Sequence, residues 1–165
     1  MTTAGPVAAD VLAALRGRGL TLATAESLTG GLVGSALTAV AGSSDVYRGG
    51  VVCYATDLKA SLVGVPAEVL DAYGPVAPQT AAALAAGAAL VCTADIGIAT
   101  TGVAGPSPQD GHPVGEVYVA VSVLGDAQVR ALTLTGTRVE IREQTVDAVL
   151  ALLRETVEAM AIPLS

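Results

Sequence analysis

The chain has 165 residues, which suits one domain with a single hydrophobic core. Hydrophobic residues make up 52% and charged residues 14%, a balance that favours a compact globular protein over a disordered one. The net charge of −7, with only eight basic residues, argues against a protein that binds duplex nucleic acid, because such binding depends on several Lys and Arg contacts to phosphates. We therefore expect one domain over residues 1–165 and no nucleic-acid partner.

Compartment is indicated by the N-terminus, the apolar runs and the cysteines. The first six residues lack the basic region that starts a signal peptide. The run from Ala81 to Cys92 is about half as long as a membrane span and mostly alanine, so it is predicted to be a core helix. Cys53 and Cys92 both lie in apolar stretches, which is typical of buried thiols in a reducing compartment. We expect a cytoplasmic protein without a membrane partner.

The first elements of the chain are predicted from apolar spacing and from glycine. Residues Val7 to Leu15 have helical spacing, and Arg16 to Gly19 provide a basic last turn and a C-terminal glycine. Leu20 to Thr24 is apolar throughout, as in a strand of a buried sheet. The apolar pattern that follows predicts a second helix, which begins near Ser27 and runs to about Ala41.

Between that strand and that helix lies the stretch Thr24 to Gly31, where we expect the function to lie. A serine at a helix N-terminus has free backbone N–H groups beside it, and these groups hold an anion or a developing oxyanion. Gly30 and Gly31 weaken a helix, so their presence suggests a partner that approaches the backbone closely. The alternative is that Ser27 or Thr29 only caps the helix, which is the commonest role of such residues.

The only lysine of the chain follows the second predicted strand, Tyr47 to Tyr54. Lys59 is predicted to lie in the first turn of a short helix that Thr56 or Asp57 caps. A cation is unfavourable at that end of a helix, because the helix dipole prefers acids there. A functional role and a solvated helix face remain equal alternatives for this side chain.

Two further helices and a third strand come next. The helices are predicted over Pro66 to Tyr73 and Pro78 to Thr93, and the strand over Asp95 to Thr100. The strand leads into Thr101 to Pro106, a loop whose hydroxyl and glycine content is typical of phosphate or carbonyl sites. Ser107 to Pro113 is predicted to be a polar surface loop, in which a solvated His112 is favoured over a catalytic one.

The last part of the chain predicts an antiparallel pair and a long helix. Gly115 to Leu124 and Val129 to Thr135 have the composition of two strands, joined by a turn over Gly125 to Gln128. An amphipathic helix is predicted over Val139 to Ala161. The alternation of helices and strands, with one late hairpin, predicts an α/β fold: a three-layer α/β/α sandwich with a mixed β-sheet.

Arg138 and Arg142 lie four residues apart at the start of that last helix, and hence on one face. Two cations oppose the helix dipole there unless an anion neutralises them, which favours a ligand phosphate. Ordinary surface pairs with Glu140 and Glu143 are the competing explanation, and the sequence does not decide between the two.

The reaction chemistry is narrowed by what the chain lacks. One His and two distant Cys do not make a typical zinc site, and the glycine spacing fits neither common nucleotide fingerprint, so we expect no metal and no cofactor. A serine activated by a lysine remains. It requires a lysine pKa lowered from about 10.4 towards neutrality by burial or by nearby arginines. Tyr54 is predicted to hold the lysine or relay a proton, and the Thr101 hydroxyl to stabilise the oxyanion together with the N–H groups after Ser27.

Taken together, these motifs resemble the CinA C-terminal domain family, which includes nicotinamide mononucleotide amidohydrolases. The match runs in the family's order through nearly the whole chain. It comprises Ala25-Glu26-Ser27-Leu28-Thr29-Gly30-Gly31, Ala41-Gly42-Ser43-Ser44, Tyr54 with Lys59, Val63-Gly64-Val65, Gly74-Pro75-Val76, Thr101-Gly102-Val103-Ala104-Gly105-Pro106, Pro113-Val114-Gly115, and Gly136-x-Arg138 with Arg142.

The resemblance implies a metal-independent enzyme that converts nicotinamide mononucleotide to the nicotinate nucleotide and ammonia in pyridine nucleotide recycling, and that forms a homodimer or higher homo-oligomer. It implies Ser27 as nucleophile and Lys59 as base, with Tyr54 and Thr101 in support. Arg138 and Arg142 are then expected near the phosphate. The substrate-binding set also includes Thr29, Gly30, Gly31, Gly102 and Gly105.

Two departures from the family pattern keep other functions open. Thr137 stands where the family has an acidic residue before the arginine, and the loop from Ser107 to His112 is less rich in glycine. A non-catalytic module that binds a pyridine nucleotide or a protein is one alternative. An amidase that acts on another small carboxamide is the other.

Overall fold

A five-stranded β-sheet forms the middle of the molecule in the computed structural model, which describes residues 3–161. The strands lie in the spatial order β2-β1-β3-β4-β5. β1 and β2 are parallel, as are β1 and β3, whereas β4 runs antiparallel to both β3 and β5. Their bounds are β1 Leu22–Glu26, β2 Tyr47–Val52, β3 Ile96–Gly102, β4 Glu116–Val123 and β5 Asp126–Thr133.

Helices cover both faces of this sheet. One hydrophobic cluster joins α1, α2 and α6 to the side chains of Leu22, Ile98 and Val119, whereas α5 packs against Ala23, Ala99 and neighbouring residues on the other face. The predicted three-layer α/β/α sandwich with a mixed sheet is therefore confirmed. The helices are α1 Ala4–Arg18, α2 Leu32–Thr38, α3 Thr56–Ser61, α4 Ala67–Tyr73, α5 Pro78–Val91 and α6 Arg138–Ala159, with one 3-10 turn over Ser43–Asp45.

Several boundaries differ from those predicted. β1 begins two residues later than expected, and the predicted second helix begins only at Leu32. Leu124 and Gly125 alone join β4 to β5, in place of the predicted four-residue turn; both have positive φ, as a tight two-residue hairpin turn requires. Gly19, at φ +67°, ends α1 as predicted.

The scarcity of large side chains has a structural counterpart where α5 lies against β3. A Cβ placed on Gly97 would lie 1.8 Å from the carbonyl oxygen of Ala85, so only glycine allows the helix to come this close. Ala85 and Ala88 on the same helix are fully buried. Small residues thus bring the two layers into contact without Phe or Trp.

The topology fixes where a site can form. From β1 the chain passes through α2 to β2, and from β2 it passes through α3, α4 and α5 to β3 on the other side of β1. The helices α2 and α5 of these two connections lie on opposite faces of the sheet, and α/β proteins bind ligands beyond the carboxyl ends of the strands. Within residues 3–161, no helix is both long enough and apolar enough to cross a bilayer.

Candidate active site

A pocket opens at the carboxyl ends of the three parallel strands. Ser27 follows β1, Lys59 follows β2, and Thr101 and Gly102 end β3, so the sheet brings together residues that are far apart in sequence. The convergence that the sequence could not demonstrate is therefore present.

Ser27 lies at the floor of this pocket in a turn that separates β1 from α2. Its side chain is only 8% exposed, and its backbone N–H donates to the carbonyl of Thr100 on β3. The predicted helix start at Ser27 is wrong, because Gly30 and Gly31 adopt positive φ and delay the helix to Leu32. Among residues 3–161 the N–H of Leu28, the next residue, has no acceptor, and Leu28 lines the pocket.

The carboxylate of Glu26 occupies the N-terminus of α2, so this helix end does not serve as an anion site. This buried carboxylate accepts hydrogen bonds from the N–H groups of Gly31 (3.2 Å), Val33 (2.8 Å) and Gly34 (3.1 Å). This internal anion satisfies the helix N-terminus, as a ligand would otherwise do. The sequence analysis missed this role, although an acid at the end of a buried apolar strand was a signal, since buried carboxylates need partners.

Lys59 is the largest fully buried side chain of the described residues, at 1% exposure. Its Nζ lies 3.0 Å from Ser27 Oγ, 2.7 Å from the carbonyl oxygen of Cys53 and 3.3 Å from that of Tyr54. No carboxylate within residues 3–161 forms an ion pair with it. Burial lowers the pKa of Lys59, because desolvation disfavours the ammonium. The arginines expected to lower that pKa are not among its causes.

The surroundings of Lys59 differ from the prediction in two details. The short helix α3 begins at Thr56 with Ala55 at its N-cap, so neither Thr56 nor Asp57 caps it. The solvated alternative is excluded, because the lysine points inward. Helix capping does not predict this burial, because the groups around the amine belong to Ser27, Cys53 and Tyr54, which follow β1 and β2.

Tyr54 has a different place from the one predicted. Its ring is 58% exposed, and its hydroxyl accepts a hydrogen bond from Arg138 Nη2 (2.9 Å). Only its backbone carbonyl contacts Lys59. The prediction that the tyrosine side chain holds the lysine is therefore corrected: the main chain does so, and the phenol lies at the rim.

Arg138 lies at the same rim, where its Nη1 also donates to the carbonyl oxygen of Gly105. It and Lys59 are the two charged residues among those that line the pocket. Gly102 and Gly105 line it as predicted. Gly105, at φ +89°, packs against Val114, and a Cβ there would lie 2.7 Å from that side chain.

Thr101 lines the pocket, but its hydroxyl is already engaged. Its Oγ1 donates to the carbonyl of Pro75 at 2.6 Å, and the residue is 1% exposed. A hydroxyl has one proton, so this hydrogen bond leaves none for an oxyanion. The prediction that the Thr101 hydroxyl stabilises an oxyanion is corrected: Thr101 ties β3 to the segment before α5.

Four other predicted substrate-binding residues are not among the residues that line the pocket. Thr29 is fully buried and donates to Glu26 Oε1 (2.7 Å). Gly30 and Gly31 form the turn beneath, where the partner that approaches Gly30 is the guanidinium of Arg142. Arg142 donates to the carbonyls of Leu28 (2.9 Å) and Thr29 (3.1 Å), so the structure places it on the turn that follows Ser27.

The departure at Thr137 has a plain structural account. Its side chain accepts from the N–H of Glu140, and the Glu140 carboxylate accepts from the N–H of Thr137, which makes a capping box at the start of α6. Threonine and aspartate are both favourable N-cap residues. Arg138 is therefore the first residue of a well-capped helix.

The loop after Gly105 provides the remaining wall. Ser107 and Gln109 line the pocket, whereas His112 does not. His112 Nδ1 lies 2.9 Å from Glu116 Oε2, and Tyr118 donates to the other oxygen of the same carboxylate. The hydrogen bond from Tyr118, followed by that from His112, lowers the pKa of Glu116. His112 is thus half-buried and paired rather than solvated as predicted.

Fold and site together define an α/β protein with a candidate serine–lysine pair in a pocket at the carboxyl ends of parallel strands. The family model for the CinA C-terminal domain matches residues 4–157. The chain therefore belongs to the CinA C-terminal domain family. Within residues 3–161, no three His, Cys, Asp or Glu residues lie where they could share a metal ion.

Solved structures of this family have the same fold. A CinA superfamily protein from Klebsiella pneumoniae superimposes with a TM-score of 0.92 at 32% identity and covers 96% of this chain and 99% of its own. The competence/damage inducible protein CihA from Agrobacterium tumefaciens gives a TM-score of 0.88 at 36% identity, over 94% of this chain and 95% of its own. Their names describe competence and damage induction and specify no reaction.

Curated relatives are more similar but longer. A CinA-like protein of Frankia casuarinae is 46% identical over 144 residues, which are 87% of this chain and 33% of the relative. A relative from Geobacillus kaustophilus, named as a competence-damage inducible protein, is 51% identical over 132 residues, or 79% of this chain and 32% of its own length. The chain spans about a third of the length of the curated relatives it matches.

Proposed function

We propose that this protein hydrolyses the carboxamide of nicotinamide mononucleotide to nicotinate mononucleotide and ammonia, in pyridine nucleotide recycling. The observation that carries the proposal is the 3.0 Å contact between Ser27 Oγ and Lys59 Nζ on the floor of the pocket. A hydroxyl beside a buried amine is the arrangement that activates a serine nucleophile. The proposed chemistry needs neither a metal nor a resident cofactor.

The first step is an acyl transfer to Ser27. The neutral amine of Lys59 has two N–H donors, and these match the carbonyls of Cys53 and Tyr54. Its lone pair then faces Ser27 and accepts the hydroxyl proton as Oγ attacks the carboxamide carbon. The carbonyl oxygen becomes an oxyanion, for which the N–H of Leu28, the residue after the nucleophile, is the candidate donor.

The second step releases ammonia and restores the serine. Lys59 returns its proton to the departing nitrogen, the C–N bond breaks, and an acyl ester on Ser27 remains. Water then attacks that ester while Lys59 accepts its proton, the C–O bond to Ser27 breaks, and Lys59 returns the proton to Ser27 Oγ. The products are a carboxylate and the free serine, with the proton balance closed through one lysine.

The charge of the pocket supports a nucleotide as the substrate. Because Lys59 acts as a neutral amine in the proposed mechanism, Arg138 is the cation among the described residues that line the pocket, in a chain whose net charge is −7. The guanidinium of Arg138 lies at the rim and presents planar N–H donors suited to a phosphate. A carboxamide at Ser27 with a phosphate near Arg138 is therefore the proposed orientation.

The test is ammonia release from nicotinamide mononucleotide by the parent and by Ser27→Ala and Lys59→Met. We expect release by the parent and a loss of at least about a thousandfold in both variants, since a nucleophile and its base act as a unit. Circular dichroism and thermal unfolding serve as folding controls. Release that persists in either variant contradicts the Ser–Lys mechanism.

Two results would select the alternative functions. Nucleotide binding by the parent without ammonia release would indicate a binding module. Turnover of nicotinamide riboside at the same kcat/KM as the mononucleotide would indicate a general amidase, because the phosphate would then contribute nothing. The kinetics of Arg138→Gln on both substrates separate a nucleotide-specific enzyme from a general amidase. Loss of a phosphate contact raises KM for the mononucleotide alone.

We also propose, from the family resemblance, that the protein is a homodimer or a higher homo-oligomer. β2 and β5 are the edges of the sheet, and each pairs with one strand only. Multi-angle light scattering at several concentrations measures the mass directly. A mass of one 16.2 kDa chain throughout contradicts this proposal.

A further inference from the structure

The turn from Ser27 to Gly31 is held on one side by a buried acid. The Glu26 carboxylate accepts three backbone N–H groups, those of Gly31, Val33 and Gly34, and the Thr29 hydroxyl, so one side chain holds the middle and the far end of the turn. The Glu26 backbone carbonyl accepts the N–H of Cys53 (2.9 Å). Cys53 is the residue whose own carbonyl holds Lys59. Cys53 thus connects the turn that carries Ser27 to Lys59.

The opposite side of the turn is held by the positively charged side chain of Arg142. Arg142 donates from Nε to the carbonyl of Leu28 and from Nη2 to the carbonyl of Thr29. Gly30 has no side chain, and a Cβ there would lie 3.3 Å from the guanidinium, which is tight. The absence of a side chain at Gly30 therefore allows the Arg142 guanidinium to reach the backbone of the turn.

We propose that Glu26 and Arg142 are paired positioning residues, which fix Ser27 Oγ and the N–H of Leu28 for acyl transfer. The proposal deepens the proposed amide hydrolysis and rests on it. Neither residue contacts the substrate. The Glu26 carboxylate binds N–H groups at the far end of the turn, and the Arg142 guanidinium binds the carbonyls of Leu28 and Thr29. Within the turn, the N–H of Gly30 donates to the carbonyl of Ser27, which belongs to the same peptide as the N–H of Leu28, so the two side chains hold the oxyanion donor through the turn.

The expected size of the effect follows from the geometry of catalysis. A displacement of about 1 Å in a reacting group costs on the order of a hundredfold in rate. The Glu26 carboxylate accepts hydrogen bonds from N–H groups of α2, and Arg142 donates to carbonyls of the turn. Loss of either side chain therefore removes the contacts on one side of the turn. The sequence indicated that Arg142 and the N-terminus of α2 could each bind an anion. In the structure both are engaged by contacts within the protein instead.

The kinetic test uses Glu26→Gln and Arg142→Gln with Asp95→Asn as matched control. Asp95 also holds a backbone N–H and a hydroxyl with one carboxylate, those of Thr21, but at the other end of β1 and β3. We expect kcat to fall by about thirtyfold or more in the first two variants, with KM changed less than about threefold, and to remain near the parent value in the control. Folding of each variant is checked by thermal unfolding.

Comparison of two substrates separates positioning from phosphate binding. A positioning residue lowers kcat equally for nicotinamide mononucleotide and nicotinamide riboside. A phosphate-binding Arg142 would instead raise KM for the mononucleotide alone, and that result would overturn its part of the proposal. An unchanged kcat in Glu26→Gln would overturn the part for Glu26.

A second readout does not depend on turnover. Lys59 is the only lysine, so protein labelled with [6-¹³C]lysine gives one side-chain signal that reports on the contact with Ser27. We expect this signal in Glu26→Gln and Arg142→Gln to shift towards that of Ser27→Ala, whereas Asp95→Asn retains the parent position. Unshifted signals in both variants overturn the proposal even where the parent shows no ammonia release, so its failure and that of the proposed function are distinguished. Arg142→Gln keeps the test open if Glu26→Gln does not fold.

Discussion

Lys59 shows how burial changes the chemistry of a single residue. Two carbonyl oxygens and one hydroxyl surround its amine, and within residues 3–161 no acid forms an ion pair with it. The carbonyls carry partial rather than full negative charge, so desolvation dominates and lowers the pKa of Lys59. A buried amine of this kind is suited to act as a base near neutral pH.

The pH profile of kcat/KM is expected to follow the titration of Lys59. The amine is active when neutral, so activity is lost as the pH falls through the folded pKa, which lies below the ordinary value of 10.5. The acid limb of kcat/KM, which reports the free enzyme, and the ¹³C titration of the single labelled lysine should share one midpoint. A lysine signal that titrates at or above 10.5 would contradict the assignment of Lys59 as base.

A second residue-scale prediction concerns Tyr54→Phe. The phenol contacts Arg138 and not Lys59, and it is exposed, so its hydrogen bond is expected to contribute no more than an ordinary one. We therefore expect KM for nicotinamide mononucleotide to rise about two- to tenfold, with kcat within about threefold of the parent. Steady-state kinetics checks this. If kcat collapsed by a hundredfold, the tyrosine would be a proton relay after all.

At the scale of elements, the ends of α2 and α6 are satisfied in different ways. The carboxylate of Glu26, which precedes the turn, completes the start of α2, whereas Thr137 and Glu140 cap α6 reciprocally. Arg138 follows the cap at once, so the cap directs this side chain to the rim of the pocket. The threonine that stands in place of the family's acidic residue therefore supplies an N-cap acceptor, as an aspartate would.

Substitutions at Thr137 test this account. We expect Thr137→Ala to lower the free energy of unfolding by about 1 kcal/mol, because the N-cap acceptor is lost, and Thr137→Asp to retain parent stability. Chemical denaturation measures both. Equal losses in the two variants would show that the side-chain oxygen is not what stabilises the start of α6.

At the scale of the whole molecule, close contact between layers replaces large side chains. The α5 layer lies so close to β3 that the backbone of the helix touches Gly97. The carboxyl ends of β1, β2 and β3 lie at one edge because these strands are parallel, and the helical layers pack on both faces of the sheet that they form. The pocket is therefore a consequence of packing as much as of its own residues.

Gly97→Ala is expected to destabilise the fold by about 1–3 kcal/mol or more, because its Cβ would overlap the Ala85 carbonyl. Gly17→Ala is the matched control: it lies in α1 with no atom within 4 Å of its Cβ, so a gain of about 0.5–1 kcal/mol is expected. Thermal and denaturant unfolding give both values. A neutral Gly97→Ala would show that the layers can separate without cost.

The sequence by itself determined the α/β class, the order of elements and the family, because apolar periodicity, turn glycines and the motifs around Ser27 and Thr101 are local patterns. It singled out Lys59 from its uniqueness and position. Only the tertiary structure decided which residues meet: Glu26 turned inward to complete α2, Arg142 reached the serine turn, and the Thr101 hydroxyl bonded Pro75. These contacts join positions up to 114 residues apart, and such partners are set by packing of the whole sheet, which no local pattern specifies.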